Sequence, residues 1–543
     1  MKAHKIPSNS LDIYSELIKD YQDENKGLIS STTSFPKMDS LANLSAVKSK
    51  EFTDTNRKKL IKAFKEQYDN INISKNVEKN LNLLSKNNSV TITTGHQLSL
   101  MTGPLYFIYK IVSVIKLSII MNKKKTGYNY IPVFWMASED HDFEEISSFY
   151  FKGRKIIWKQ SMGGPVGEIS LDKLDFLSLF IENELGASES SLFIKSIIKE
   201  NYLTTKTLSE ATFGLVNRLF CDYGLLILDP NSRKLKEIMI PFFKNELFNH
   251  NCKKQVDNQI EILKNDYNKN YKPQVNPREI NLFYITKGER KRIIKTENGF
   301  ELSDSNKKFT KPLIEKELIE FPERFSPNVL LRPLYQEVIL PNIAYVGGGG
   351  EISYWLQLKA FFENQNITLP ILVIRDSALL VPSKTLKSIE KLNVSYSDLL
   401  NGKDHLIKNK IKELSSISLD LQFLKNKLDS QFSYLEKIVS KTDSSFKGAV
   451  KAQKAKQYKG IDNLEKRLLR AQKRKLNDQV KKLEVIYNSL FPNNKLQERT
   501  ENFFDYYLYF EHNFIPDLID NFNHLIKILL YLNLNKTKKI VQF

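Results

Sequence analysis

Apolar positions are sparse over the first 85 or so residues. Leu41, Leu60, Phe64 and Leu84 stand as scattered core candidates among polar neighbours, a pattern that predicts polar helices. The pattern changes at Ser89-Val90-Thr91-Ile92-Thr93-Thr94, a short β-branched run that Gly95 ends. From Leu105 to Met121, Ile108, Ile111, Val112, Ile115 and Ile119 recur at helical spacing; then Ile131 to Ala137 is strand-like and ends in Ser-Glu-Asp-His-Asp. Strand, helix and strand with short joints predict a βαβ unit, and such units build parallel sheets. A second stretch of this kind lies far downstream: Ile343 to Val346, the glycines Gly347 to Gly350, a helix from Glu351 to Asn364, and the run Pro370 to Ile374.

The intervening chain differs. It reads as helical from Lys195 to about Asp266. The short strands Asn281 to Thr286, Lys291 to Thr296 and Phe300 to Leu302 follow, joined through Lys287-Gly288 and Asn298-Gly299, the latter a strong hairpin signal. From about Asp404 the chain turns helical to its end. Leu421, Leu424, Leu428, Leu435 and Ile438, with Gln431 in one core slot, face a return helix whose stripe runs from Ile461 to Leu490 and stops at Phe491-Pro492-Asn493-Asn494. Two such helices predict an antiparallel coiled-coil arm. The expected segments are 1–85 helical, 86–150 first part of an α/β core, 151–330 insert, 331–400 second part of the core, 401–495 arm, and 496–543 a helical tail that packs on the core.

Composition narrows the class. The chain has 543 residues, 41% of them hydrophobic and 11% aromatic, enough to bury a large core. Cys221 and Cys252 are the two cysteines, which excludes a disulfide framework or a four-cysteine zinc site, and free cysteine is usually a small core residue. Cys221 sits in an apolar run that predicts burial. The first twenty residues lack a secretory apolar core, and Lys110 and Lys116 break the most apolar stretch, so a cytoplasmic protein with no membrane span is expected. The net charge is +20, and between Lys451 and Lys482 twelve basic residues face three acidic ones. That helix could grip nucleic acid phosphates. Without aromatic interleaving or an RNA-binding motif, a solvated coiled-coil face is favoured, and no nucleic acid partner is expected.

Three stretches could carry chemistry. In Thr93-Thr94-Gly95-His96-Gln97, Gly95 allows a sharp turn and Pro104 suits a first helical turn. The helix start would favour phosphate or carboxylate, to which His96 and Gln97 could donate. A plain strand-to-helix turn with a packed histidine fits the spacing as well. In Ser138 to Glu145, five acids and His141 follow a buried strand, where ligands bind in parallel sheets. Asp140, His141 and Asp142 could orient or deprotonate an amine, or cap a helix whose dipole favours acids. Gly347, Gly348, Gly349 and Gly350 expose backbone N–H groups as an anion cradle or act as a hinge. Arg332, Gln336 and Arg375 flank these strands, where arginine can hold an anion in bidentate fashion.

Taken together, these motifs resemble the cysteine-adding family of bacillithiol biosynthesis (BshC). The resemblance rests on Thr94-Gly-His-Gln, Thr102-Gly-Pro-Leu-Tyr-Phe-Ile-Tyr-Lys, Pro132-Val-Phe-Trp-Met-Ala-Ser-Glu-Asp-His-Asp-Phe-Glu-Glu, Gln274-Val-Asn-Pro-Arg-Glu-Ile-Asn-Leu-Phe, Leu331-Arg-Pro-Leu-Tyr-Gln, Ala344-Tyr-Val-Gly-Gly-Gly-Gly-Glu-Ile-Ser-Tyr-Trp and Pro492-Asn-Asn-Lys-Leu-Gln-Glu-Arg. It implies an α/β fold with a Rossmann-type parallel-sheet core, a mixed helical and antiparallel insert, and a coiled-coil arm that forms a homodimer. It also implies amide formation between L-cysteine and glucosaminyl-malate. Because that bond does not form unaided in water, ATP or another nucleotide is expected to activate the carboxyl, with Mg2+ left open. No resident metal site is expected. A transferase taking pre-activated cysteine from a partner, and a nucleotide- or RNA-binding protein using the basic arm, are the alternatives.

Overall fold

The computed structural model describes residues 2–7, 14–69, 71–159, 163–172, 174–439, 441, 445–522 and 528–534. The chain divides into a first unit of Met1–Leu379 with Gln497–Leu532 and a second of Leu380–Leu496.

The first unit is built on a five-stranded sheet. Its spatial order is Ile371–Ile374, Asn342–Gly347, Ser89–His96, Asn129–Met136, Leu226–Leu228, with every neighbouring pair parallel. The two distant stretches therefore share one sheet. Asn342–Gly347 lies beside Ser89–His96 on the side opposite Asn129–Met136, so the strand order reverses there, and the crevice outside the carboxyl ends at such a reversal is where these sheets bind ligands. Ser89–His96 and Asn129–Met136 are buried almost throughout, as central parallel strands covered on both faces must be. The threonines of the first strand are satisfied inside the sheet. Thr93 Oγ1 donates to Asn342 Oδ1 at 2.8 Å and Thr94 Oγ1 to the Val346 carbonyl at 2.7 Å.

Tyr106–Lys123 crosses between these strands and packs Val114, Leu117 and Met121 against Val90, Ile92, Val346 and Val373. It is apolar almost all round because Phe514–Asn521 covers it from outside. The four core candidates of the N-terminal segment, Leu41, Leu60, Phe64 and Leu84, are all fully buried on helices.

The insert departs from expectation in two ways. Leu226–Leu228, not anticipated as a strand, forms the edge of the core sheet, and a hairpin, Ser148–Phe151 with Arg154–Ile157, precedes the helices. The antiparallel sheet has the expected three strands, Leu282–Thr286, Glu289–Thr296 and Gly299–Leu302, flanked by Lys308–Phe309 and Phe325–Pro327. The tail is helical at Phe503–Phe510 and Phe514–Asn521 but ends in a strand, Ile528–Leu534, beside Lys2–Pro7. Its Ile-Leu-Leu-Tyr-Leu run lacks helical periodicity, which is the physical reason the helical expectation fails.

The second unit holds the arm. Gln422–Val439 packs on Ser445–Lys475, and a break at Leu476 precedes Asn477–Leu490. The buried stripe is Phe432, Val439 and Val450 with Leu428 and Leu435, so Gln431 and Ile438 fall outside the seam and face solvent. No helix of the described residues is long and apolar enough to cross a membrane.

Candidate active site

At the carboxyl ends of the core strands lies a cavity of about 690 Å³, within the range of small-molecule sites. His96, His141 and Gly348, from three separate stretches, all line it. Lys110, Arg278, Arg290, Arg332, Arg375 and Arg499 face it with Glu139, Asp140, Glu145 and Glu351.

Gly95 is an in-strand residue paired with Trp135, not the turn. The sharp turn falls at Met101, Thr102 and Gly103, with φ of 50°, 68° and 61°, and Asn502 pins it by donating to the Met101 and Gly103 carbonyls at 2.8 and 2.6 Å. What Gly95 contributes is its carbonyl, which accepts from Lys110 Nζ at 2.9 Å. The Leu105 N–H donates to the Glu501 carbonyl, and the helix that follows lines the cavity through its Tyr106 and Lys110 side chains. The anion-binding helix start is thus replaced by a buried ammonium.

His96 Nδ1–H donates to the Gln97 carbonyl at 2.8 Å, which leaves Nε2 as an acceptor. Burial, and next the Lys110 ammonium, pull this imidazole down to about 3, so the ring is neutral near pH 7. A neutral ring in this tautomer accepts a hydrogen bond at Nε2 and does not clamp an anion. Gln97 Nε2 donates to Asp140 Oδ2 at 2.7 Å and Glu145 Oε2 at 2.8 Å, so its amide bridges two carboxylates instead of meeting a phosphate.

On the acid rim, Asp140 also accepts from the His141 N–H at 2.8 Å. Burial alone would raise its pKa, but the hydrogen bonds from His141 and Gln97 and the charge of Arg290 outweigh it and hold the carboxyl below its ordinary range. His141 Nδ1 accepts from Arg290 Nη1 at 3.0 Å, and Arg290 stacks on Phe283 at 3.9 Å. Asp142 points elsewhere. Its carboxylate caps Phe143–Ile146 by accepting from the Glu145 N–H at 3.2 Å, and it does not line the cavity. Glu139 sits deeper, ion-paired to the fully buried Lys236.

The four glycines are not a run of free donors. Gly347 closes the strand, and the Gly348 N–H donates to Glu351 Oε2 at 2.9 Å. Glu351 also takes Lys110 Nζ at 2.6 Å and the Tyr345 hydroxyl at 2.5 Å. Against burial, which would raise it, Lys110 and these hydrogen bonds hold this carboxyl down at about 2. Gly349 lies against Ile18, whereas Gly350 is open. Arg332 sits in an aromatic box, 5.6 Å from Trp135 and Tyr345 and 6.0 Å from Trp355. Gln336 is fully buried behind it, accepting from Arg332 Nη1 at 3.2 Å, and so positions the arginine without reaching the cavity. Arg375 is already held in bidentate fashion, at 2.6 and 3.1 Å, by Glu498. Its fork is therefore closed to a ligand while that pair stands.

Lys110, Glu351, Glu498, Arg499 and Arg290 join the site without having been among the residues singled out from the sequence for chemistry. A lysine in an apolar helix was a usable signal for Lys110. Glu498 and Arg499 stand in the Gln-Glu-Arg after the arm, whereas one arginine in a basic hairpin gave none for Arg290.

A profile of the bacillithiol biosynthesis BshC N-terminal Rossmann-like domain matches residues 1–376, and one of the BshC C-terminal coiled-coil domain matches residues 378–528. A Flavobacterium johnsoniae protein named "Putative cysteine ligase BshC" is 45% identical over 513 residues, covering 94% of this chain and 96% of its own length. A Christiangramia forsetii protein of the same name is 42% identical over 538 residues, covering 98% and 99%. One from Salinibacter ruber is 29% identical over 450 residues, covering 81% of each. The fold, the two matched domains and this likeness over nearly the whole length place the chain in the BshC family of bacillithiol biosynthesis, a family of ligases.

Proposed function

We propose that this protein joins the carboxyl group of L-cysteine to the amine of glucosaminyl-malate in the cytoplasm, with ATP activating the carboxyl. The observation that carries the reading is that a buried lysine and several arginines face carboxylates across one cavity at the carboxyl ends of the core strands. Amide formation needs both: cations for the carboxylate and any phosphate, and an acceptor that orients the attacking ammonium. Asp140, held ionised, orients the ammonium, with His141 beside it. His96 Nε2, neutral and unprotonated, accepts a hydrogen bond from the attacking amine, and the proton released on attack leaves with the departing phosphate. Arg278 and Arg499 hold the anionic groups, Lys110 and Arg290 add positive charge while fixing Glu351 and His141 in place, and Arg332 lines the opposing wall. Asp142 and Gln336 act through the residues they position.

The donor set suits the phosphates of a nucleotide, which supply the leaving group when bound. It does not suit a resident magnesium. Among the described residues no three His, Cys, Asp or Glu side chains gather as a metal site, and Asp140, Glu145 and Glu139 are engaged by Gln97 and Lys236. Magnesium enters with its nucleotide as substrate. The test is to incubate the protein with cysteine, glucosaminyl-malate, ATP and magnesium and to read the conjugate by mass, with AMP or ADP release in parallel. Product without ATP from an activated cysteine would make it a transferase, and no product under any nucleotide would overturn the proposal.

A further inference from the structure

A second cavity, of about 500 Å³, lies away from this site, lined by Asp54, Arg57, Lys58, Ile61, Lys62, Lys65, Ser85 and Asn87. Four cationic residues face one acid there. The lysines fall at 58, 62 and 65 along Asp54–Gln67, a spacing that puts them on one face. On another face of the same helix, Lys59 pairs with Glu237 and Glu66 with Lys234. On the cavity face, among the described residues, no carboxylate comes within ion-pair distance of Arg57, Lys58, Lys62 or Lys65.

Arg57 is the unusual member. It is 3% exposed. Its Nη1 donates to the Leu84 carbonyl at 2.8 Å and more weakly to the Ser89 carbonyl at 3.4 Å, and the guanidinium lies 5.0 Å from the Phe52 ring. Nε and Nη2 have no partner. A buried charge normally has a counter-charge, and a cation in the first turns of a helix also opposes the dipole. Fold stability alone therefore explains Arg57 poorly. A bound anion explains it: Asp54 acts on Arg57 only from beyond ion-pair distance, and an anion seated against the lysines along the helix flank would add the nearby negative charge.

We propose that this cavity is a binding site for a small phosphate-bearing anion, distinct from the candidate active site and independent of the reaction proposed there. Phosphate fits better than a lone carboxylate because four cations surround the space and its oxygens can accept from several at once.

The test titrates the full chain with inorganic pyrophosphate by calorimetry at constant ionic strength. The expected result is a saturable class of sites that weakens about tenfold or more in Lys58→Ala/Lys62→Ala, as loss of charged hydrogen bonds implies. Lys58→Arg/Lys62→Arg keeps the charge and should keep the binding. Any second class, from the active-site cations, should be unmoved in both variants. ATP binding more tightly than pyrophosphate would assign a nucleotide as the source, and equal binding would assign free phosphate. An isotherm identical in wild type and the alanine variant, or binding only of a 20-mer RNA, would overturn the proposal.

Discussion

Lys110 and Glu351 are the pair on which the site's geometry turns, because they tie the Gly95 carbonyl, the Tyr345 hydroxyl and the Gly348 N–H into one buried network. Lys110→Met removes the cation and leaves Glu351 buried without it. We expect conjugate formation to fall by about 10²-fold or more, the usual loss when a preorganised charge is deleted, measured as initial rate by mass. The pH dependence of stability has another source. Burial, reinforced by the Asp505 charge and opposed by the Tyr506 hydrogen bond, raises Glu501 from 4.5 to about 7, and burial raises Asp505 to about 6. A raised carboxyl keeps its proton in the folded state after the unfolded chain has released it. Neutral His96 contributes stability that rises with pH up to about 6.5. Against it, the Glu501 contribution falls as pH rises from about 4.5 to 7 and the Asp505 contribution from about 3.8 to 6, each by up to about 1.4 kcal/mol per pH unit. Glu501→Gln should remove its part of that fall in urea unfolding measured across the same range.

At the scale of elements, the glycine run separates into residues that need to be glycine and residues that do not. A Cβ at Gly347 would lie 3.0 Å from the Tyr345 ring and 3.2 Å from Glu351 Cβ, whereas at Gly350 it would meet nothing within 4 Å. Gly347→Ala should cost about 1–3 kcal/mol of stability, and Gly350→Ala should be neutral or stabilise by about 0.5 kcal/mol, both read from the denaturant midpoint. The arm has a thin seam, so single residues matter there. Phe432→Ala should destabilise the second unit by about 3 kcal/mol, detected as a shift in the helical circular-dichroism transition.

At the scale of the molecule, the arm exposes Tyr434, Ile438, Phe446 and Leu464, each at least 46% accessible. Solvated coiled-coil faces are usually charged, and apolar side chains such as these suit contact with a second copy. We expect the full chain to sediment as a dimer and Tyr434→Lys/Phe446→Lys to sediment as a monomer, with the helical content unchanged.

Sequence alone determined the elements whose periodicity is strong: both βαβ stretches, the three-stranded core of the insert's sheet, the paired arm helices, and the family likeness carried by their motifs. These are local patterns, and local patterns survive without tertiary context. It also brought the right stretches to one crevice, because parallel strands put their carboxyl ends on one side. Only the tertiary structure decided what each polar group does there. A hydrogen-bond donor on Gln97, Arg375 or Gly348 is available to a ligand only if no neighbour has taken it, and the neighbours that take it, Asp140, Glu498 and Glu351, lie 43, 123 and 3 residues away. The arm's register followed the same logic. Leu428 and Leu435 were legible, but whether Gln431 or Phe432 faces the seam depends on a partner helix that the spacing does not specify.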